Sequence, residues 1–261
     1  TFAVASGDGS VTDATQTTNA AGIATLGSWT VGSAAGPNTL TAASGTLAGS
    51  PLTFTATGTA GPATAIAIHA GHGQTAMVGT DVAGPPAVIV RDQFSNPVAG
   101  VAVTFAVASG GGSVSPATPV MSDANGIATA TAWTLGNSVG LNTLTATAVG
   151  LTPVSFSATG TASLASSIAI NAGNGQTATV GTAVAAPPAV IVRDQFNNPV
   201  AGVAVTFAVA SGGGSITGSS QTTNAAGVAA VGTWTLGTSA GPNTLTASSS
   251  ALSGSPVSFT A

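Results

Sequence analysis

The sequence predicts an all-β fold of tandem Ig-like β-sandwich domains, about 102 residues per repeat, and three observations carry that expectation. Helical periodicity is missing, and short alternating or β-branched runs are separated by clusters of Gly, Pro and Asn. The 29-residue run PPAVIVRDQFSNPVAGVAVTFAVASGGGS at 85–113 recurs at 187–215, with Asn197 in place of Ser95 as its only difference. Residues 206–261 also match residues 1–56 without a gap. A period of this length is too long for a solenoid unit and suits a complete small domain, so the copies read as beads on a string. The expected organisation is an incomplete Ig-like domain over 1–60, holding only a C-terminal part, then Ig-like domains over 61–160 and 161–261. By comparison with the other copies, the first lacks a front of about 43 residues. The chain opens inside a repeat without an initiating Met, so it is expected to be an internal window of a longer or processed polypeptide.

Along the middle copy the predicted strands are TAIAIHA (64–70), AVIVRD (87–92), VAVTFAVA (101–108), GIATATAW (126–133), NTLTATAV (142–149) and PVSFSAT (153–159). Shorter strands are expected near 74–79 and 118–122. In VAVTFAVA the alternation sends Val101, Val103, Phe105 and Val107 to one face and Ala102, Thr104, Ala106 and Ala108 to the other. The first set is expected in the core. Large side chains are few, and Phe105, Trp133 and Phe156, with Phe207, Trp234 and Phe259 in the next copy, are expected to plug a core of Val, Ile, Leu and Ala. In the first unit the missing front would leave Phe2, Val4, Trp29 and Phe54 uncovered. Asn96-Pro97 to Gly100 and Asn198-Pro199 to Gly202 have the residues of tight connections, because Asn before Pro favours extended backbone and Gly tolerates positive φ. Pro85-Pro86 and Pro187-Pro188 stand just before AVIV, where a missing donor does least harm.

Composition removes several functions. Two Arg and six Asp are the only charged residues, and there is no Lys, Glu, Cys or Tyr. A net charge of −4 with two Arg cannot neutralise a phosphate backbone, so no nucleic acid is expected as partner. No run approaches the roughly eighteen apolar residues of a membrane helix, and the Phe and Trp residues recur in register rather than as aromatic girdles, so no membrane insertion is expected. Without Cys there is neither a disulfide framework nor thiolate chemistry, and without Lys no Lys–Asn isopeptide link.

Three features carry a family resemblance: V-x-D-x-x-x-N-P-V-x-G-V-x-V-x-F at 90–105 and 192–207, D/N-A-x-G-x-A at 123–128 and 224–229, and the late NTLTA strand. In these the chain resembles the bacterial Ig-like domains of the invasin and intimin type, over nearly its whole length. The resemblance implies β-sandwiches repeated in tandem on bacterial surface proteins, where such domains form stalks that hold an adhesive tip away from the cell.

Residues that could carry chemistry each have a simpler reading. His69 and His72 in HAGHG could pair on a metal, but their counterparts are Asn171 and Asn174, and Asp81 is the only carboxylate near them. Asp92 and Asp194, next to Arg91 and Arg193, offer one carboxylate per site, too few for calcium, and read as turn-capping acceptors. Asp123 opens a calcium-like D-A-N-G, yet Asn19 and Asn224 stand in its place elsewhere, so an Asx turn is expected. Gly110–Gly112 and Gly212–Gly214 precede a strand and not a helix, and are not phosphate loops. The last copy has no His to serve a Ser or Thr nucleophile. No catalytic, cofactor-binding or metal residue is therefore assigned, no cofactor is expected, and the chain is not expected to be an enzyme.

What remains is a structural, extracellular repeat protein of the bacterial cell surface, a filament or stalk. Its nearly uncharged surface and strand edges without guarding Lys favour self-association with identical subunits. The alternative is an adhesin stalk whose loops, or a further terminal domain, bind host ligands, with surface glycans as candidate partners. Ice binding by Thr-rich strands such as TLTAT is a third reading, but regular Thr spacing equally suits ordinary strands.

Overall fold

The computed structural model describes residues 1–45 and 47–261, and among them every regular element is a β-strand. The middle copy is a sandwich because its apolar residues alternate on strands that must bury one face each. One sheet has five strands in the order Val120–Met121, Ala102–Ser109, Gly140–Thr147, Val154–Thr161 and Gln74–Met77, the last pairing parallel. The facing sheet has three, Ile127–Thr129, Ala87–Asp92 and Ala63–Ala70. A separate hairpin pairs Gly112–Ser115 with Ala132–Leu135. Val88, Val90, Val103, Phe105, Trp133, Leu144 and Phe156 meet between the layers and are buried, while Val101 and Val107 are half-buried at the margin of the same cluster. The C-terminal copy repeats this core with Val190, Val192, Phe207, Trp234, Leu245 and Phe259.

One predicted strand is two. The run over 126–133 breaks between Thr129 and Ala132: Ile127–Thr129 pairs with Ala87–Asp92, whereas Ala132–Leu135 crosses to pair with Gly112–Ser115. The reason is hydrogen bonding at the crossing, where the Ala130 N–H turns to the Pro86 C=O and the Thr131 N–H to the Ser115 C=O. Ala128, Ala130 and Trp133 are all buried, so the chain moves from one layer to the other without leaving the core.

The first unit has only Phe2–Ser6, Gly36–Ala42 and Leu52–Gly58 in one sheet and a hairpin of Ser10–Thr12 with Ser28–Thr30. No three-stranded facing sheet stands over it among the described residues. Of the four side chains expected to be uncovered, Phe54 is, at 46% exposed against 0% for its counterparts Phe156 and Phe259. Phe2 is buried, correcting that expectation, and Val4 and Trp29 are half-buried. The Phe2 N–H bonds to the Ala14 C=O, and Ala24 to Leu26 line with Phe2, Trp29, Leu40 and Phe54 a cleft of about 340 Å³. Local chain thus shields the near end of the exposed layer.

The complete copies differ at one edge. Thr143 and Phe156 are 13 positions apart, but the equivalent Thr244 and Phe259 are 15 apart. The longer loop lets Ser253 bridge to the facing sheet's edge strand Ala165–Ala172, its N–H donating to the Ser166 C=O and its C=O accepting from the Ile168 N–H. No such bridge forms on Ala63–Ala70 among the described residues, and that edge stays open.

The core makes unequal demands on its aromatic plugs. Trp133→Ala is expected to cost the middle domain about 3–5 kcal/mol in urea unfolding, and Phe54→Ala in the first unit under about 1.5 kcal/mol, because only the former leaves a closed cavity.

Candidate functional site

The densest polar arrangement lies where one domain meets the next, and it is built from the D-x-x-x-N-P turn. Strand alternation at the end of Ala87–Asp92 sends Arg91 outward, where Nη1 donates to the Ser95 C=O, and Asp92 inward. The turn closes by Ser95 N–H to Asp92 C=O and Asp92 N–H to Asn96 C=O. Ser95 sits at φ 69° and Asn197, its counterpart, at φ 70°, a left-handed region that Asn tolerates better than most residues. The single difference between the two 29-residue runs thus falls at a strained backbone position.

Asp92 is buried, and its carboxylate collects donors from both sides. Oδ1 accepts the N–H groups of Phe94 (2.8 Å) and Asn96 (2.9 Å). Oδ2 accepts the Gly61 N–H (2.8 Å) and the Asn96 side-chain amide (2.9 Å). That amide is the largest influence on the acid, burial opposes it, and the backbone N–H groups of Gly61, Asn96 and Phe94 add to it, so the pKa falls from 3.8 to about 2. Asp194 repeats the arrangement, with Ser163 in the place of Gly61. There burial is the largest influence and pushes the pKa up, but the Asn198 amide and the N–H groups of Ser163, Asn198 and Phe196 outweigh it, and the net direction is again down.

Asn96 then reaches into the preceding unit. Its Oδ1 accepts the Ala35 N–H at 2.8 Å and its Nδ2 donates to the Ser33 C=O at 2.8 Å. Asn198 does the same to the middle domain, accepting the Val139 N–H at 3.1 Å and donating to the Asn137 C=O at 2.8 Å. Both junctions are therefore the same two-bond clasp, in which a buried carboxamide reads one N–H and one C=O of the loop before Gly36 or Gly140. At the second junction Phe196 also packs so closely on Gly79 that a Cβ there would press on its ring. At the first junction the equivalent Phe94 is 57% exposed.

The loop that is read is held from within its own domain. Buried Asn142, first residue of NTLTA, accepts the Gly136 N–H and donates to the Gly140 C=O, as Asn38 does for Gly32 and Gly36. A Cβ on Gly110 would run into the Asn142 side chain, which is why glycine stands at that point of the G-G-G stretch.

The other candidates hold backbone. Asp123 Oδ1 accepts the N–H groups of Asn125 and Ile127, and Asn19 and Asn224 accept the equivalent pairs, an Asx turn in each copy. His72 Nδ1 accepts the Ser157 N–H, and Asn174 accepts the Thr260 N–H in its place. Asp81 accepts from the Thr134 hydroxyl, which leaves it apart from His69 and His72. Gln74 and Gln176, not singled out by sequence, tie Gly71 to Gly84 and Gly173 to Ala186. The clasping role of Asn96 and Asn198 was equally hidden, since its partners are backbone atoms some 60 residues earlier.

No protein-family model matches the chain, and no curated protein matches it. Solved structures do. FdeC, an Escherichia coli adhesin, superposes at a TM-score of 0.59 with 20% identity, over 99% of this chain and 84% of that one. The fold is that of tandem Ig-like domains. Yersinia pseudotuberculosis InvD superposes at 0.56 with 13% identity, over 100% of this chain and 85% of its own. Both superpositions agree with the all-β, tandem Ig-like fold expected from the sequence.

The Asp92 carboxyl ionises at about 2 when folded, below its ordinary value of 3.8, so its contribution is complete above that ordinary value and is lost as pH falls through 2. By NMR, Asp92 should titrate near pH 2, and the Ala35 amide should lose hydrogen-exchange protection over that same range. Asn198→Ala should lower the stability of the C-terminal domain by about 1–3 kcal/mol in denaturant and raise the Asp194 pKa toward the usual carboxylate range.

Proposed function

We infer that the chain is an extracellular segment of a bacterial surface stalk or filament, whose work is mechanical: it sets the spacing and direction of successive Ig-like domains. The observation that carries this reading is the clasp, which occurs at both junctions with the same atoms. A flexible string of domains needs no such bonds; linkers without them leave neighbours to reorient. Because the Asp already holds the Asn amide, little side-chain entropy is left to lose when the next domain is engaged. FdeC, an adhesin of the same fold, supports placement at the cell surface. The adhesin alternative differs in where ligand binding resides, and the loops here, occupied in holding their own backbone, favour the stalk.

Association of copies belongs to the same reading. The open edge Ala63–Ala70, ATAIAIHA, carries no Asp, Glu, Lys, Arg or Pro, and an identical strand from a second copy fits it by β-strand addition. The Ser253 bridge supports the choice, since the same edge in the C-terminal domain already accepts a backbone partner.

Small-angle scattering over a concentration series tests both parts. At low concentration the wild-type chain should scatter as an extended rod, and Asn96→Ala with Asn198→Ala should give a smaller radius of gyration and a broader distance distribution. At high concentration the wild type should grow and Ala67→Lys should not. Identical, flexible-chain scattering from wild type and double variant would remove the stalk reading, and growth unaffected by Ala67→Lys would remove the edge. Antibody labelling of intact producing cells checks the location.

A further inference from the structure

Each domain carries the loop that a clasp reads, and the third copy of that loop has no reader among the described residues. In the first unit and in the middle domain the loops before Gly36 and Gly140 are engaged by Asn96 and Asn198. In the C-terminal domain the corresponding groups are the Thr238 C=O and the Ala240 N–H, both on exposed residues.

This third loop is already shaped like the other two. Asn243 is buried, accepts the Gly237 N–H at 3.0 Å and donates to the Gly241 C=O at 3.1 Å, where Asn38 and Asn142 make the same bonds. Gly241 holds φ 144°, against 137° at Gly36 and 120° at Gly140. The Asn-held geometry of the loop is therefore in place with nothing engaging it, although strand pairing begins at Thr244 here and at the glycine in the other two, and binding requires little reordering. Gly241 is exposed, whereas Gly36 and Gly140 are half-buried.

We propose that the loop over 237–241 is a docking surface for the D-x-x-x-N-P turn of a further Ig-like repeat joined in tandem. The occupant is defined by continuity with two interfaces of the same kind in this chain. It must present a carboxamide whose Oδ1 meets the Ala240 N–H and whose Nδ2 meets the Thr238 C=O, with a buried Asp holding it. A second, separate copy does not meet that need, because its Asn96 and Asn198 are already engaged within their own chain. Only backbone groups are read, so Ser33-Ala34-Ala35, Asn137-Ser138-Val139 and Thr238-Ser239-Ala240 are equivalent despite their different side chains. The proposal rests on the clasp reading above and extends it to a surface that the chain does not itself occupy.

The test uses the full chain and the full chain extended at Ala261 by a second copy of residues 159–261, with amide hydrogen exchange followed by NMR. In the chain alone, Val139 should be protected and Ala240 should exchange fast. The extension should protect Ala240 by roughly tenfold or more, and an extension in which its own copy of Asn198 is Ala should not, while its cooperative unfolding shows that it has folded. Fast exchange of Ala240 in every chain, or equal protection by the Ala-bearing extension, overturns the proposal. Val139 separates the two levels of argument: if its protection survives Asn198→Ala in the original chain, the clasp reading itself is wrong. If Val139 depends on Asn198 but Ala240 does not respond, only the third docking surface fails.

Discussion

One buried carboxylate per complete domain underlies how these domains meet. Asp92 and Asp194 lie among donors from their own turn and from the segment that enters the domain, and the Asn amide that they hold is the group that crosses to the neighbour. In a chain with so few charges, placing one of them inside is costly unless every lone pair is used. Here the donors suffice to keep the acid ionised, and the ionised acid keeps the Asn in one orientation. The order of dependence runs from carboxylate to carboxamide to neighbouring domain, so a change at the Asp reaches the junction without touching it.

Elsewhere the protein does with neutral groups what most proteins do with charge. Asn38, Asn142 and Asn243 shape three loops from within, Gln74 and Gln176 staple another, and hydroxyl pairs such as Ser109 with Thr143 and Ser211 with Thr244 link neighbouring strands. Where two copies differ, the backbone partner is kept and the side chain varies. His72 and Asn174 both accept an N–H of the last strand, and Asp123, Asn19 and Asn224 accept the same pair at the Asx turn. What a position must supply is one acceptor at one point, and several residue types do so.

Strand alternation made most of the sandwich legible in the sequence, because Val103, Phe105, Trp133 and Phe156 could be placed inside from period and size alone. The crossing at Ala130 and Thr131 was not legible: the alternation continues through it, and only the carbonyls of Pro86 and Ser115 decide which layer each half joins. Phe2 is buried for a related reason that alternation does not show, since the irregular chain around Ala14 and Ala24 carries no pattern yet occupies space. Asp92 was readable as a turn cap, and that role stands. The second half of the site was not, because Asn96 before Pro97 is sufficiently explained by the turn, and nothing local marks a side chain that bonds to backbone in another domain.

The clasp joins an Asn near the start of one unit to backbone atoms near the end of the unit before it. A change in copy number by whole repeats would therefore regenerate the same junction at the new seam. Such a chain can gain or lose whole domains without any seam having to be rebuilt.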